Sequence, residues 1–241
     1  AVRLEGLSEE DGAHLYTVDE VEKCVAKITT VHYRETIDLF GQVTLTACSA
    51  GTSLGSAYWT VETASEKVVY ISEISNGTIR HPLPLDEDHL HGADVFIIGS
   101  KPLISSPPKT FDKTLTEMAA LIASTVSSGG NVLVPCHPYG VVYDLIEQLP
   151  PTATPLFMVS PAANDLFAYS TICAEWLHPF RSENVFHASD TFVHTAMIAN
   201  KALKHFPSAS GTIISPTSLG AQFKEPCVML CSHPSCRTTG I

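Results

Sequence analysis

The chain has 241 residues, of which 44% are hydrophobic and 16% are charged. An average globular domain carries about a quarter charged residues, so this chain is too apolar for disorder and too sparsely charged for a highly solvated helical array. Acidic residues outnumber basic ones by 25 to 14, which gives a formal net charge of −11. A chain this acidic does not hold a polyanion by its overall field, because affinity for a phosphate backbone depends on lysine and arginine.

The cysteine content and the length of the apolar runs indicate the redox environment of the protein and whether it crosses a membrane. The seven cysteines are odd in number and lack the spacing of a disulfide framework, so we interpret them as reduced intracellular thiols. No apolar run approaches the roughly 18 residues that a membrane span needs. We therefore expect no membrane partner.

The first part of the chain is predicted to hold one helix and an antiparallel meander. Residues 17–20, Thr-Val-Asp-Glu, form a capping-box pattern, and apolar residues at helical spacing follow, which predicts a helix over 18–27. Residues 94–98 predict a buried strand that ends at Gly99. Between the helix and this last strand, the chain has short runs of β-branched or aromatic residues that are separated by turn residues. These runs predict strands with one face on a core, over 28–33, 36–39, 43–48, 57–62 and 67–72.

The pattern changes after the proline- and serine-rich segment 101–110. Strands that alternate with helices imply right-handed crossovers and a parallel sheet. We therefore expect an α/β fold in which a meander region of residues 1–104 precedes an α/β region of residues 105–241. The predicted helices cover 110–128, 139–149 and, capped by Ser160 and Pro161, the segment to 177; the predicted strands cover 131–135, 156–160 and 225–231.

Two short patterns invite a nucleophilic interpretation. Residues 51–55, Gly-Thr-Ser-Leu-Gly, match G-x-S-x-G, but that device needs a helix after the serine, and a strand pattern follows here. Cys136 and His137 follow a predicted strand, yet adjacent residues do not easily form a nucleophile–base pair. We interpret the first as a plain turn around Ser53 and the second as an incidental strand-end loop.

A histidine-rich stretch suggests metal binding at first sight. His89, His91 and Asp94 follow the acidic run 86–88, but no further ligand lies at short spacing beyond them. Hydrolytic two-metal sites need four or more convergent ligands. We interpret this stretch as a solvated loop.

The cysteines near residue 230 also resemble zinc ligands in their spacing. A four-residue step along a strand spans about 13 Å, which is too far for two sulfurs of one tetrahedral site. We interpret these cysteines as buried core thiols. The group comprises Cys227, Cys231, His233 and Cys236.

Several segments, taken in order, resemble the metallo-β-lactamase core of the β-CASP nucleases, the RNA 3′-end processing endonucleases and their inactive partners. They are residues 16–20, Phe40-Gly41, residues 49–55 and residues 69–75, and later segments at 129–145, 160–164, 174–177, 203–208 and 225–235 resemble a catalytically inactive member. The resemblance implies part of a metallo-β-lactamase αββα sandwich over 1–104. An incomplete β-CASP cassette with a parallel, Rossmann-like sheet would follow over 105–241.

The resemblance also locates the family's metal positions. Active members carry a zinc-ligand histidine in A-G-H-x-x-G, where this chain has Thr52. They carry a bridging aspartate in G-D-F-S, where it has Glu73, and an acid after the next strand, where it has Gly99. A threonine hydroxyl is a poor zinc ligand, and glycine has no side chain to ligate or orient anything. Active relatives also carry Gly-Arg at a helix start where this chain has Gly140 and Val141, so a phosphate contact has lost its charge. The resemblance therefore predicts no catalytic residue, no metal and no other cofactor.

By resemblance, the protein is a non-catalytic pseudo-nuclease scaffold in the nucleus. It would pair as a heterodimer with an active β-CASP homologue inside an RNA-processing complex and would contact RNA indirectly. The alternative is an active zinc-dependent RNA endonuclease with a degenerate site around Glu73, and a more distant one is a small-molecule hydrolase that uses Ser53. The family's first metal motif would precede Ala1 and its last two would follow Ile241, so we expect a fragment.

Overall fold

The computed structural model describes residues 17–75, 77, 80–99, 111–149, 154–182, 192–206 and 219–231. In these residues the strands form one five-stranded and one four-stranded sheet. The predicted succession of a meander and an α/β arrangement is confirmed, and the candidate site lies between the two sheets.

The five-stranded sheet follows the order of the chain. Strands β1 to β4 form an antiparallel meander, as predicted, and β5 pairs parallel to β4. One face packs on a core that includes Cys48, Tyr58 and Val69 and is closed by the loop that carries Leu85 and Leu90. The strands are β1 (Thr36–Leu39), β2 (Val43–Ser49), β3 (Ala57–Glu62), β4 (Lys67–Ile71) and β5 (Val95–Ile98).

Helix α1 (Val18–Val25) confirms the capping-box prediction. Thr17 Oγ1 accepts a hydrogen bond from Glu20 N at 3.3 Å, and Thr17 N donates to Glu20 Oε2 at 2.7 Å. The prediction of a strand over 28–33 was wrong, because this segment has no ladder partner and is held by side chains instead. The Tyr33 hydroxyl donates to Ser56 O at 2.8 Å, and the Tyr33 ring packs edge-on against Trp176.

Strand β5 forms where the sequence predicts it, but the prediction that it is buried was wrong. Its four residues, Val95 to Ile98, are between 46% and 62% exposed. The strand lies at the edge of the sheet, and β4 is its hydrogen-bonded neighbour among the described strands. The side chains are exposed because little of the described chain packs on either face of this strand.

The four-stranded sheet is entirely parallel, as predicted, with the order β6-β9-β7-β8. Its main core packs Leu156, Met158 and Leu230 against the helices on one face. Sequence patterns missed β8 and the short helices. The strands are β6 (Val132–Pro135), β7 (Leu156–Val159), β8 (Leu203–Phe206) and β9 (Val228–Cys231); the helices are α2 (Phe111–Ser127), α3 (Val141–Gln148), α4 (Ala163–Ile172), α5 (Pro179–Ser182), α6 (Val193–Ala199) and α7 (Leu219–Gln222).

Helix α4 is shorter than the sequence predicts. It begins at Ala163 rather than at the proline, and Ser160 Oγ accepts from Ala162 N at 3.2 Å in the preceding turn. The helix ends at Ile172, and a 3₁₀ turn, Cys173–Trp176, follows. Backbone pairing with the first region ends the helix, since Trp176 O accepts from Leu83 N at 2.8 Å.

Two further expectations concern membrane-spanning helices and the state of the cysteines. No described helix combines the length and the apolar character that crossing a membrane requires. The cysteines that the structure describes are all free, and Cys24 is the exposed one among them.

Candidate functional site

A cleft of about 390 Å³ lies between the two sheets. It brings together three of the four positions that the resemblance identified, Thr52, Glu73 and Val141, while Gly99 does not line it. Loops that follow β2 and β4 form one wall, and the segment that opens α3 forms the other. The lining residues are Ala50, Thr52, Ser53, Ser56, Ala57, Ser72, Glu73, His137, Tyr139, Gly140 and Val141.

The loop around Thr52 is a closed turn between two antiparallel strands. Gly51 has a φ of 73°, and a Cβ at this position would lie 2.3 Å from Ser75 O, so only glycine fits. Ser56 Oγ accepts from Thr52 N at 3.1 Å and from Ser53 N at 3.0 Å. Strand β3 follows this loop, which confirms that the geometry of a nucleophile elbow is missing.

Position 99 has no room for a side chain. A Cβ built on Gly99 would lie 2.4 Å from Ser72 O and 3.2 Å from the carbonyl carbon of Ser72. Gly99 N donates to Ile71 O at 2.7 Å, which fixes this close approach. Position 99, where the resemblance predicts an acid in active relatives, is therefore closed by backbone.

The second wall of the cleft begins at the amino end of α3. Gly140 caps this helix at a φ of 74°, and a Cβ there would lie 3.1 Å from the Cβ of Ser53. The two walls thus touch at Gly140 and Ser53. Val141 is 42% exposed and presents an apolar side chain where a charged phosphate contact is expected in active relatives.

The donor set of the cleft does not fit a two-zinc centre. Among the lining residues, only Glu73 and His137 carry a carboxylate or an imidazole, whereas a two-metal site needs at least four such ligands. In the described part of the chain, three side chains of this kind converge at one other place, formed by Cys48, Asp86 and His89.

The interpretation of Cys136 as incidental is supported by its surroundings. Burial, with a smaller contribution from Cys231, raises the pKa of the Cys136 thiol to about 12. A thiol with such a pKa is protonated at neutral pH and is a poor nucleophile. His137, in contrast, lines the cleft, a position that the adjacent-residue argument did not reveal.

Cys227, which precedes β9, and Cys231, at its end, are core thiols, as predicted. Cys227 is 1% and Cys231 is 0% exposed. Burial chiefly raises the pKa of Cys227, which keeps this thiol protonated. His233 and Cys236, the other members of the pattern, lie outside the described residues.

The interpretation of residues 86–94 as a solvated loop was wrong for Asp86. Its side chain is 7% exposed and accepts from Arg34 Nε at 2.7 Å and from Arg34 Nη2 at 2.9 Å. Burial raises the pKa of this carboxyl, but the hydrogen bonds from Arg34 and the proximity of the His89 imidazole outweigh it, and the net pKa is below its ordinary value. Sequence spacing gives no hint of the pair, since the partners are 52 residues apart.

A buried polar network beside the cleft also escaped the sequence analysis. Asp144 on α3 accepts from Arg80 Nε at 3.2 Å and from His81 N at 2.9 Å, and all three side chains are 3–4% exposed. Arg80 Nη1 also donates to Gly51 O at 3.3 Å. The network therefore fixes the loop around Thr52 relative to helix α3, which carries the opposite wall.

The chain is similar in sequence to known proteins. Residues 2–103 match the Metallo-beta-lactamase superfamily domain. The chain is 38% identical over 229 residues, 92% of its length, to Integrator complex subunit 9 of Homo sapiens. It is 37% identical over 230 residues to the Integrator complex subunit 9 homolog of Nematostella vectensis.

A more distant similarity extends to a protein named as a nuclease. The chain is 32% identical over 171 residues, 66% of its length, to Endoribonuclease YSH1 of Eremothecium gossypii and covers 21% of that protein. The chain spans 33% of the human relative and 34% of the Nematostella relative.

Proposed function

Because this chain carries the metallo-beta-lactamase superfamily domain and is similar over 92% of its length to Integrator complex subunit 9, we propose that it is part of a non-catalytic pseudo-nuclease. The protein serves as a scaffold subunit of the Integrator complex in the nucleus. It pairs with the active β-CASP endonuclease of that complex during 3′-end processing of small nuclear and other nascent RNAs. Residues 1–104 are the later part of its first metallo-β-lactamase segment, and residues 105–241 belong to its β-CASP domain.

The observation that carries the proposal is the contact between Gly99 and Ser72. A first carbon atom at position 99 would already lie 2.4 Å from Ser72 O, so an acid cannot be restored there without moving a strand end. Thr52 offers a hydroxyl where an imidazole is wanted. Among the lining residues of the cleft, Glu73 and His137 are then the two that carry a carboxylate or an imidazole.

The charge of the cleft argues against RNA as a direct ligand. Among the described residues, no lysine or arginine lines the cleft, and Glu73 contributes a negative charge. Phosphate backbones are held by cationic side chains, and the chain as a whole has a net charge of −11. RNA therefore contacts the assembly through the partner subunit.

The fold is retained for a reason other than catalysis. The buried network of Arg80, His81 and Asp144 fixes the two regions to each other. Removing one member of such a network is costly, so it maintains a single relative orientation of the two walls. A scaffold that presents a rigid surface to a partner needs that orientation.

An active endonuclease of the same fold is the second candidate. Its support is the presence of Glu73 and His137 in one cleft, together with the similarity to Endoribonuclease YSH1. In this case Glu73 would hold a metal that activates water for in-line attack on a phosphodiester.

Single-turnover cleavage of a single-stranded RNA by the full-length protein, with added zinc, tests the two candidates. We expect cleavage no faster than in the Glu73→Gln variant or in buffer. Cleavage that Glu73→Gln and His137→Gln both abolish would overturn the proposal.

Co-expression with the active β-CASP subunit tests the scaffold role. We expect a one-to-one heterodimer whose RNA cleavage is unchanged by Glu73→Gln in this protein and is lost when the metal ligands of the partner are replaced. Failure of the two subunits to co-purify, or loss of cleavage on Glu73→Gln alone, would contradict the proposal.

A further inference from the structure

Three side chains outside the cleft bring their ligand atoms together. The Cys48 sulfur, a carboxylate oxygen of Asp86 and an imidazole nitrogen of His89 all lie within 4.8 Å of one another. None of the three lines the cleft. We propose that they form a second, non-catalytic site for a divalent zinc-type cation, with water as the fourth ligand.

The separations are close to those of a tetrahedral zinc site. With metal–ligand distances of about 2.0–2.3 Å, ligand atoms of a tetrahedron lie roughly 3.3–3.8 Å apart. His89 Nδ1 and Asp86 Oδ2 are already 3.3 Å apart, the length of such an edge. Since no two of the ligand atoms are more than 4.8 Å apart, closing the remaining separations requires a movement of at most about 1.5 Å.

The imidazole of His89 lacks a well-made hydrogen bond at its buried nitrogen. Nδ1 is shielded from solvent and lies near Asp86 Oδ2, but the two groups are not aligned for a hydrogen bond. Buried polar atoms in folded proteins nearly always have a partner. A cation between the imidazole and the carboxylate would supply that partner.

The groups around the three ligands are those that hold metal ligands in place. The Arg34 guanidinium binds both oxygens of Asp86, and the Tyr58 hydroxyl donates to the backbone oxygen of Asp86. Hydrogen bonds of this kind orient ligating carboxylates and tune their affinity. Arg34 itself has a φ of 63°, a left-handed conformation uncommon for non-glycine residues.

The charges balance when a divalent cation is present. A thiolate at Cys48 and the carboxylates of Asp86 and Asp88 contribute three negative charges, and Arg34, 3.0 Å from Asp88, contributes one positive charge. A doubly charged cation brings the sum to zero. The cation replaces the proton of the Cys48 thiol when it binds, because a thiol ligates zinc-type metals as the thiolate.

The donor types select the metal. Calcium and magnesium prefer oxygen ligands throughout, whereas a set of one sulfur, one nitrogen and one oxygen suits zinc or cobalt. The Cys48 side chain lies in the core of the five-stranded sheet and is 0% exposed, so the site would stabilise the loop that covers this core.

Cobalt(II) titration of the chelator-treated full-length protein tests the proposal. We expect a thiolate-to-cobalt charge-transfer absorption that grows with added Co²⁺ and is displaced by Zn²⁺. Cys48→Ala and His89→Gln each remove this absorption and one equivalent of bound metal. The matched controls, Cys24→Ala and His91→Gln, replace exposed residues of the same types and leave both unchanged.

Cys48→Ala changes the core and could disturb folding, whereas His89 is only partly buried. His89→Gln therefore tests metal binding without a substitution in the core. Near-ultraviolet circular dichroism checks that each variant is folded. Absence of the charge-transfer absorption in the wild-type protein would overturn the proposal. An absorption that survives both Cys48→Ala and His89→Gln, or that is lost in a control variant, would overturn it as well.

Discussion

Replacement of Gly99 by alanine should destabilise the protein by steric conflict alone. The added Cβ would lie 2.4 Å from Ser72 O, whereas an ordinary contact is 3.4 Å or longer, so the conflict amounts to about 1 Å. The atom that it meets belongs to the backbone and cannot rotate away. Since the φ of Gly99 lies outside the left-handed range, no conformational penalty adds to this effect.

Overpacking of this kind typically costs about 1–3 kcal/mol of unfolding free energy. For a chain of this size, each kcal/mol lowers the melting temperature by about 2–4 °C, so Gly99→Ala should lower it by roughly 2–12 °C. Gly99→Asp, which restores the acid of active relatives, adds atoms beyond the same Cβ and should lower it at least as far.

Gly220→Ala is the matched control. A Cβ at Gly220 meets no atom within 4 Å, and the residue lies in helix α7, so this substitution should leave the melting temperature unchanged or raise it slightly. Differential scanning fluorimetry and chemical denaturation measure both variants. A Gly99→Ala protein as stable as Gly220→Ala would refute the argument that position 99 is closed.

Three other predictions follow from buried groups. Asp144→Asn should lower the unfolding free energy in denaturant by about 3–5 kcal/mol, because it removes the carboxylate that a buried arginine binds; a loss below 1 kcal/mol would contradict this. Burial chiefly lowers the pKa of His194 from 6.5 to about 4. The contribution of this residue to stability is therefore complete above pH 6.5 and falls by about 3 kcal/mol as the pH drops toward 4. His194→Gln should reduce the dependence of the unfolding free energy on pH over this range, and an unchanged dependence would disprove the prediction. Iodoacetamide at pH 7.5 should label the exposed Cys24 first and Cys136 only when the protein unfolds. Mass spectrometry of timed samples measures the two labelling rates. Equal rates for Cys24 and Cys136 would exclude the raised pKa of the Cys136 thiol.

Local signals account for the elements that the sequence predicted correctly. The capping box at Thr17 and Glu20 involves residues three apart, and the meander follows from alternation within each strand. Strand β8, with the sequence Leu-Lys-His-Phe, lacks both alternation and β-branched residues, and only its place beside β7 makes it a strand. Tertiary pairing overrides weak local preference in such a segment.

The resemblance led to part of the candidate site, since Thr52, Glu73 and Val141 line one cleft, but it gave no hint of the packing. The contact that closes position 99 depends on Ser72, a residue 27 positions earlier on another strand end. Buried charges are equally invisible in sequence, where an acid that binds a distant arginine looks like a solvated one. Asp86 and Asp144 were missed for this reason, since their partners are 52 to 64 residues away.

An anomalous-difference map at the zinc absorption edge, from crystals of the full-length protein grown with zinc, distinguishes a pseudo-nuclease from an active metalloenzyme. We expect no peak in the cleft between Glu73 and His137. A pair of strong peaks there, with ligands supplied from both walls, would contradict the proposal that the protein lacks a catalytic metal centre.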